Sequence, residues 1–216
     1  MWIRRIKGKL MKPKFIVADG CQVADLIGIH EGYSVRAAEG FSVFTINVSA
    51  PNIPTMFLQL SQLVQEPVFF VIEVGTHRDV EATLRKNDAD PFHTDVYYLD
   101  GLSQKAAQSL FQKYDQLLTH DGGVKFGIGS HVTKHDEVFV DGYKVFSVYT
   151  IEPQKYHEAL TNQGFDEKSK IKTVWNTFTK ETPGSRSVLK GGARTIYDMI
   201  EELKKEGLYL SGRRDD

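Results

Sequence analysis

The sequence predicts an α+β fold: one mixed or antiparallel sheet of about six to eight strands, built from two similar β-α-β units, with a helical C-terminal third packed on it. Three observations lead there. Residues 96–99, 103–119 and 124–128 read as strand, helix and strand. Shifting that stretch back by 54 positions lays a second such unit under it, with Gly75-Thr76-His77 under Gly129-Ser130-His131. Strand-like segments also dominate up to residue 151, and helical periodicity dominates after it. Met56, Phe57, Leu60, Leu63 and Val64 fall under Leu110, Phe111, Tyr114, Leu117 and Leu118 in the shifted pair. Amphipathic helices followed by buried strands match on hydrophobicity in any case, so the weight of an internal duplication rests on the shared Gly-hydroxyl-His.

Taken in order, residues 14–17 read as the first strand, and 33–37 with 41–48 as a hairpin turned at Glu39-Gly40. In the second of these Phe44, Ile46 and Val48 alternate with Thr45 and Asn47, the period of a strand with one wetter face. Val23, Leu26 and Ile27 have helical spacing, a short helix ended by Gly28. The first long helix opens near Asn52 and Pro54, where Asn caps free N–H groups and proline lacks a donor that would have no partner. It closes at Glu66-Pro67, because the proline ring disfavours helical geometry before it. Residues 67–74 are almost continuously apolar, β-branched or aromatic, as in a central strand buried on both faces. A short exposed helix is expected within 76–87.

Ser103 caps the second long helix, Ala106, Leu110, Leu117 and Leu118 form its stripe, and Asp121-Gly122-Gly123 ends it. Each large apolar residue buried there contributes about 1.5–3 kcal/mol. A hairpin of 137–140 and 143–151 turns at Asp141-Gly142, which suits the positive φ of a type I′ turn. Alternation sets Tyr143, Val145 and Tyr149 against Lys144, Phe146 and Val148, so both faces carry apolar residues. Helices then cover one face and the other meets a partner. Three further helices are expected: from Pro153 through Leu160 to a stop at Gly164, over Ile171, Val174, Trp175 and Phe178, and over Ile196 to Leu203. Thr195 with Asp198 makes a capping-box-like start to the last, and Gly207 its left-handed stop.

The 216 residues, 41% hydrophobic and 25% charged, fit one globular unit: a basic N-terminal arm (1–13), a sheet region (14–151) and a helical region (152–216) packed on the same core. Met11 is a plausible alternative start. A net charge of −1 supplies no field for steering nucleic acid or an anionic membrane. The lone Cys21 cannot form an internal disulfide, which fits a reducing compartment. The apolar run after the basic arm is too short for a signal peptide, and none approaches the roughly 18 residues of a membrane helix. A cytoplasmic protein is expected.

Candidate chemistry is sparse. His131, His135 and Asp136 share one inter-strand loop, and His77 takes the position of His131 if the repeat is real. Two imidazoles and a carboxylate hold a divalent metal with an open position, although the spacing matches no established zinc signature. Gly127-Ile128-Gly129-Ser130-His131 departs from the Gly-x-Ser-x-Gly elbow, and its glycines suit a bulge or close strand crossing. Cys21 reads as a small core residue. Arg186, Lys190 and Arg194 flank glycines before a helix N-terminus, an anion-binding pattern that lacks the P-loop order and in which Asp198 competes for the same helix end. No catalytic set is complete, no cofactor is predicted, and nucleic acid is not favoured as a partner. The expectation is a non-enzymatic protein-binding factor, inhibitor-like, immunity-like or regulatory. The alternatives are a metal-assisted hydrolase using the strand-end histidines, and a phosphate or nucleic-acid binder using the 186–195 loop and the basic arm.

Overall fold

The computed structural model describes residues 14–189 and 194–215; the basic arm lies outside them. In chain order the elements are β1 (Cys21–Gln22), β2 (Gly32–Ala38), β3 (Phe41–Asn47), α1 (Ile53–Ser61), β4 (Val68–Gly75), α2 (Arg78–Leu84), β5 (His93–Leu102), α3 (Gln104–His120), β6 (Val124–Ser130), β7 (Asp136–Val140), β8 (Phe146–Thr150), α4 (Pro153–Asn162), β9 (Ser185–Arg186), α5 (Ile196–Lys204) and β10 (Tyr209–Asp215). Among the described residues eight strands form one sheet in the order β10-β5-β4-β6-β7-β8-β3-β2, and every neighbouring pair is antiparallel. β1 and β9 pair separately.

Strand alternation sorts the sheet into two faces. Phe44, Phe70, Ile72, Phe126, Ile128, Val138, Val140 and Phe146 all point to one side and are fully buried. There Phe57 of α1 and Phe111 of α3 meet at 4.5 Å between ring centres, and Phe126 lies 5.0 Å from Phe57 and 5.6 Å from Phe111. Tyr156 of α4 packs on Phe44 at 6.0 Å. One continuous core cluster draws on residues from Phe15 to Leu208. α3 lies where expected and buries Leu110, Leu117 and Leu118 of its stripe, but Ala107 is buried in place of Ala106, which is exposed. The helix is capped by the Ser103 hydroxyl, which accepts from the Ala106 N–H at 3.2 Å.

The two proposed β-α-β units have different connections. From β5 through α3 to β6 the chain steps over one strand, β4; from β3 through α1 to β4 it steps over β6, β7 and β8. α1 and α3 do share a face and touch, yet a common period in helix and strand accounts for that, and the structure does not establish a repeat.

Several local expectations are corrected. Residues 14–17 form no strand; Ile16 is tied irregularly, its N–H donating to Ser49 Oγ and its carbonyl accepting from Ala50. Residues 23–27 form no helix and are largely irregular, with the Ile27 N–H donating to Asp25 Oδ1 at 2.7 Å, a local bond that competes with helix. The two hairpin strands do pair, but the second begins at Phe146 and not at residue 143, Val140 lies opposite Phe146, and the left-handed residues are Tyr143 (φ 54°) and Lys144 (φ 61°), one step beyond Gly142. The helix expected over 171–178 shrinks to one 3₁₀ turn, Val174–Thr177. Trp175 is 43% exposed there, and its ring meets Tyr143 at 4.9 Å and Phe178 at 5.6 Å. The C-terminal third is therefore only partly helical: after α5 the chain returns to the sheet as edge strand β10. Its exposed charges suit an edge, and Arg213 donates to the Asp95 carboxylate on the neighbouring strand. Burial alone would raise that carboxyl, but the bonds from Arg213 and Thr76 take it below its ordinary range.

No helix among the described residues is long and apolar enough to cross a membrane.

Candidate functional site

The strand-end histidines do not converge. β4 and β6 are adjacent but antiparallel, with Val68 opposite Ser130 and Val74 opposite Val124. Gly75-Thr76-His77 and Gly129-Ser130-His131 therefore lie at opposite ends of the sheet. His77 caps α2, its Nδ1 accepting from the Asp79 N–H at 3.4 Å. His131 Nε2 lies 3.0 Å from Asp100 Oδ1. His135, at φ 56°, stacks on Phe41 with 4.0 Å between ring centres. Asp136 is buried and accepts from the Gln65 N–H at 2.9 Å and the Tyr156 hydroxyl at 3.1 Å, with Lys155 Nζ at 3.3 Å. Its oxygens are committed to joining the β7 end to α4. Among the described residues no group of three or more His, Cys, Asp and Glu is placed to hold a metal ion.

Of the predicted anion-binding residues, Lys190 lies outside the described residues. Arg186 sits in β9 opposite Cys21, with its guanidinium carbon 6.0 Å from the centre of the Tyr143 ring. Arg194 Nη1 bonds Glu202 Oε2 at 3.1 Å. The N-terminus of α5 is filled by its own cap: the Thr195 N–H donates to Asp198 Oδ2 at 2.8 Å and the Asp198 N–H to Thr195 Oγ1 at 3.2 Å.

The face of the sheet opposite the helices carries the more informative arrangement. Phe69, Val71 and Glu73 of β4, Tyr98 of β5, Lys125 of β6, Glu137 and Phe139 of β7, Tyr149 of β8 and Arg214 of β10 all point to it by alternation. The middle strand is kept low by glycine. A Cβ on Gly127 would come within 2.7 Å of the Phe139 ring, and one on Gly129 would strike the ring of Phe69. The aromatic rings thus lie across the β6 backbone, the close approach that glycine in a strand permits.

Glu73 is only 7% exposed, yet Arg214 bonds it and Lys125 Nζ stands 3.7 Å away. Among the described residues Glu137 has no such compensation. It lines a hollow of about 360 Å³ with Phe139, Tyr149, Glu73, Lys125 and Arg214, and a neighbouring one of about 300 Å³ beside Phe69 and His135. Burial pushes its carboxyl above the ordinary range, and the charge on Glu73 adds to the shift. Sequence reasoning did not single out Glu73 or Glu137. The available signal was parity: Glu73 is the one charge inside an apolar run, and it shares its face with Phe69 and Val71.

Sequence reasoning also missed Lys144. Held in a left-handed turn and 3% exposed, it donates through Nζ to the Val124 carbonyl at 2.8 Å. Burial draws its ammonium down to about 8, partly opposed by the charges of Cys21 and Asp121 and reinforced by Arg186. Since 10.5 is the ordinary value, the unfolded chain binds the proton more tightly than the folded one, so folding stability rises with pH through this window. Stability is expected to gain up to about 3 kcal/mol from this lysine between about pH 8 and 10.5. Burial also raises the Cys21 thiol, which opposes the trend above pH 9, so the measurement belongs in a Cys21→Ala background. There, denaturant titrations should show a steeper rise with Lys144 than with Lys144→Met. Equal slopes would mean that the ammonium remains solvated.

Comparison of the chain with known protein families, with curated proteins and with solved structures finds no match.

Proposed function

We propose that this chain is a non-enzymatic protein-binding factor, of the inhibitor, immunity or regulatory kind, which receives a basic segment of its partner on the open face of the sheet. A lysine or arginine of that segment seats against Glu137, between the rings of Phe139 and Tyr149. The observation that carries the reading is the contrast between two carboxylates on one face: among the described residues Glu73 is paired with two cations and Glu137 with none. A half-buried carboxylate without a counter-charge is poorly stabilised in the free protein. A cation brought in by a partner would gain a charge-assisted hydrogen bond and contact with aromatic faces. Aromatic residues around a desolvated charge also match the centre of protein interfaces.

The test is affinity capture from the native cell with wild type, Glu137→Lys and, as a control on the exposed side of α3, Lys105→Glu. A protein retained by wild type and the control but lost on Glu137→Lys is expected. Its purified complex should weaken by at least about thirtyfold with Glu137→Ala, as for truncation of one member of a buried charge pair. Identical capture by wild type and Glu137→Lys would sink the reading.

A further inference from the structure

Another hollow, remote from Glu137, opens at the sheet end where β4 finishes and β5 begins. Its volume is about 670 Å³, and its lining includes Glu81 of α2, Lys86 and Phe92 of the following loop, and Tyr197 of α5. That volume falls within the roughly 300–1,000 Å³ of small-molecule sites. We propose that it binds a nucleoside monophosphate, with a ribose hydroxyl on Glu81, the base among Phe92 and Tyr197, and the phosphate on Lys86 and Arg78.

Glu81 supplies the first argument. It is 8% exposed, and its Oε1 lies 2.9 Å from His93 Nδ1, while its Oε2 is buried without a hydrogen-bond partner among the described residues. A buried carboxylate oxygen is costly to leave without a donor. His93 cannot serve both oxygens, since its other nitrogen faces Asp215 Oδ1 at 3.9 Å. A hydrogen-bond donor that reaches Glu81 from the hollow would satisfy that oxygen. A ribose hydroxyl is such a donor, and acidic side chains accept from ribose hydroxyls in dinucleotide sites.

The walls supply the second. Phe92 is 61% exposed, an unusual position for a large aromatic ring, and the Arg85 guanidinium lies 4.0 Å over it. Arg85 itself is committed, donating to the carbonyls of Asp90 at 2.8 Å and Asp88 at 2.9 Å. It braces the loop and holds the ring. Tyr197 is fixed as well: its hydroxyl donates to the Gly75 carbonyl at 2.8 Å, and His77 meets its ring edge-on at 4.9 Å. Two immobilised rings suit a planar base, which stacks on aromatic faces without regard to its identity.

The rim supplies the third. Lys86 forms no ion pair with a described residue, and Arg78 is 91% exposed with Asp79 3.4 Å away. With Asp88 also in the lining, the positive charge is enough for one phosphate and not for a run of three.

Calorimetric titration of the full chain with AMP, adenosine and inorganic phosphate tests this. AMP should bind 1:1 and tighter than either fragment. Glu81→Gln should weaken both AMP and adenosine by about tenfold or more, as expected for loss of a hydrogen bond to a charged group. Lys86→Ala should weaken AMP by a similar factor and leave adenosine unchanged. Phe92→Ala should weaken both, and because Phe92 and Lys86 are exposed, these two variants decide the matter even if Glu81→Gln fails to fold. Three results would overturn the proposal: no heat with millimolar AMP, phosphate binding as tightly as AMP, or AMP affinity indifferent to Lys86→Ala and Phe92→Ala. Glu137→Lys should bind AMP as wild type does, which separates this site from the open face.

Discussion

Phe126→Ala is expected to lower the unfolding free energy by about 3–5 kcal/mol, the range for truncating a buried aromatic side chain. Phe126 is fully buried and touches Phe57, Phe111 and, at 6.4 Å between ring centres, Phe70. Its ring is thus the point where α1, α3, β4 and β6 share contacts. Removing it leaves a cavity walled by rigid rings on a hydrogen-bonded sheet, which cannot collapse without pulling both helices inward. Lys144 Nζ, 5.6 Å from the same ring centre, would also lose its aromatic neighbour. Urea titration followed by circular dichroism measures the loss. A cost below about 1.5 kcal/mol, the usual ceiling for tolerated core swaps, would mean that the helices pack loosely on the sheet.

The other large effect is expected at Asp136. Asp136→Ala should cost about 3–5 kcal/mol, because it strips three donors of one buried acceptor: the Gln65 N–H, the Tyr156 hydroxyl and the Lys155 ammonium. Tyr156 is fully buried, and burial first and the Asp136 charge second push its phenol far above the ordinary range. A hydroxyl in that position has no water to turn to. Pairing the change with Tyr156→Phe isolates the coupling. The double variant should be less destabilised than the sum of the singles, since the orphaned hydroxyl is gone. Strict additivity would show that the two side chains act independently.

Asp136 also illustrates how a site can be misjudged from sequence. Beside His131 and His135 it has the composition of a metal loop, but its buried side chain points to the helix layer, while His135 stacks on Phe41. Composition records which ligand atoms are available, and the pleat decides which side each one faces. The same holds for Gly75-Thr76-His77 and Gly129-Ser130-His131. Two matching strand ends converge only if their strands run the same way, and β4 and β6 run in opposite directions.

The sequence by itself determined the elements whose cause is local. α3 follows from a 3.6-residue stripe with a serine cap, and β4 from a run of β-branched and aromatic residues. The β7–β8 hairpin follows from alternation on either side of a polar turn. Only the tertiary structure decided the rest. Residues 209–215 are exposed and charged, with no period of their own; they become a strand because β5 offers an open edge with Asp95 and Glu73 within reach of Arg213 and Arg214. Residues 174–177 make one 3₁₀ turn because Trp175 and Phe178 gain more from the Tyr143 ring than from a helix. The charges that define the candidate sites, Glu81, Glu137 and Lys144, look in sequence like ordinary solvated residues. Their chemistry arises from burial beside residues 12 to 64 positions away: His93 for Glu81, Val124 for Lys144 and Glu73 for Glu137. Burial at that range is set by which strands pair and which face the helices cover, and no local periodicity encodes either.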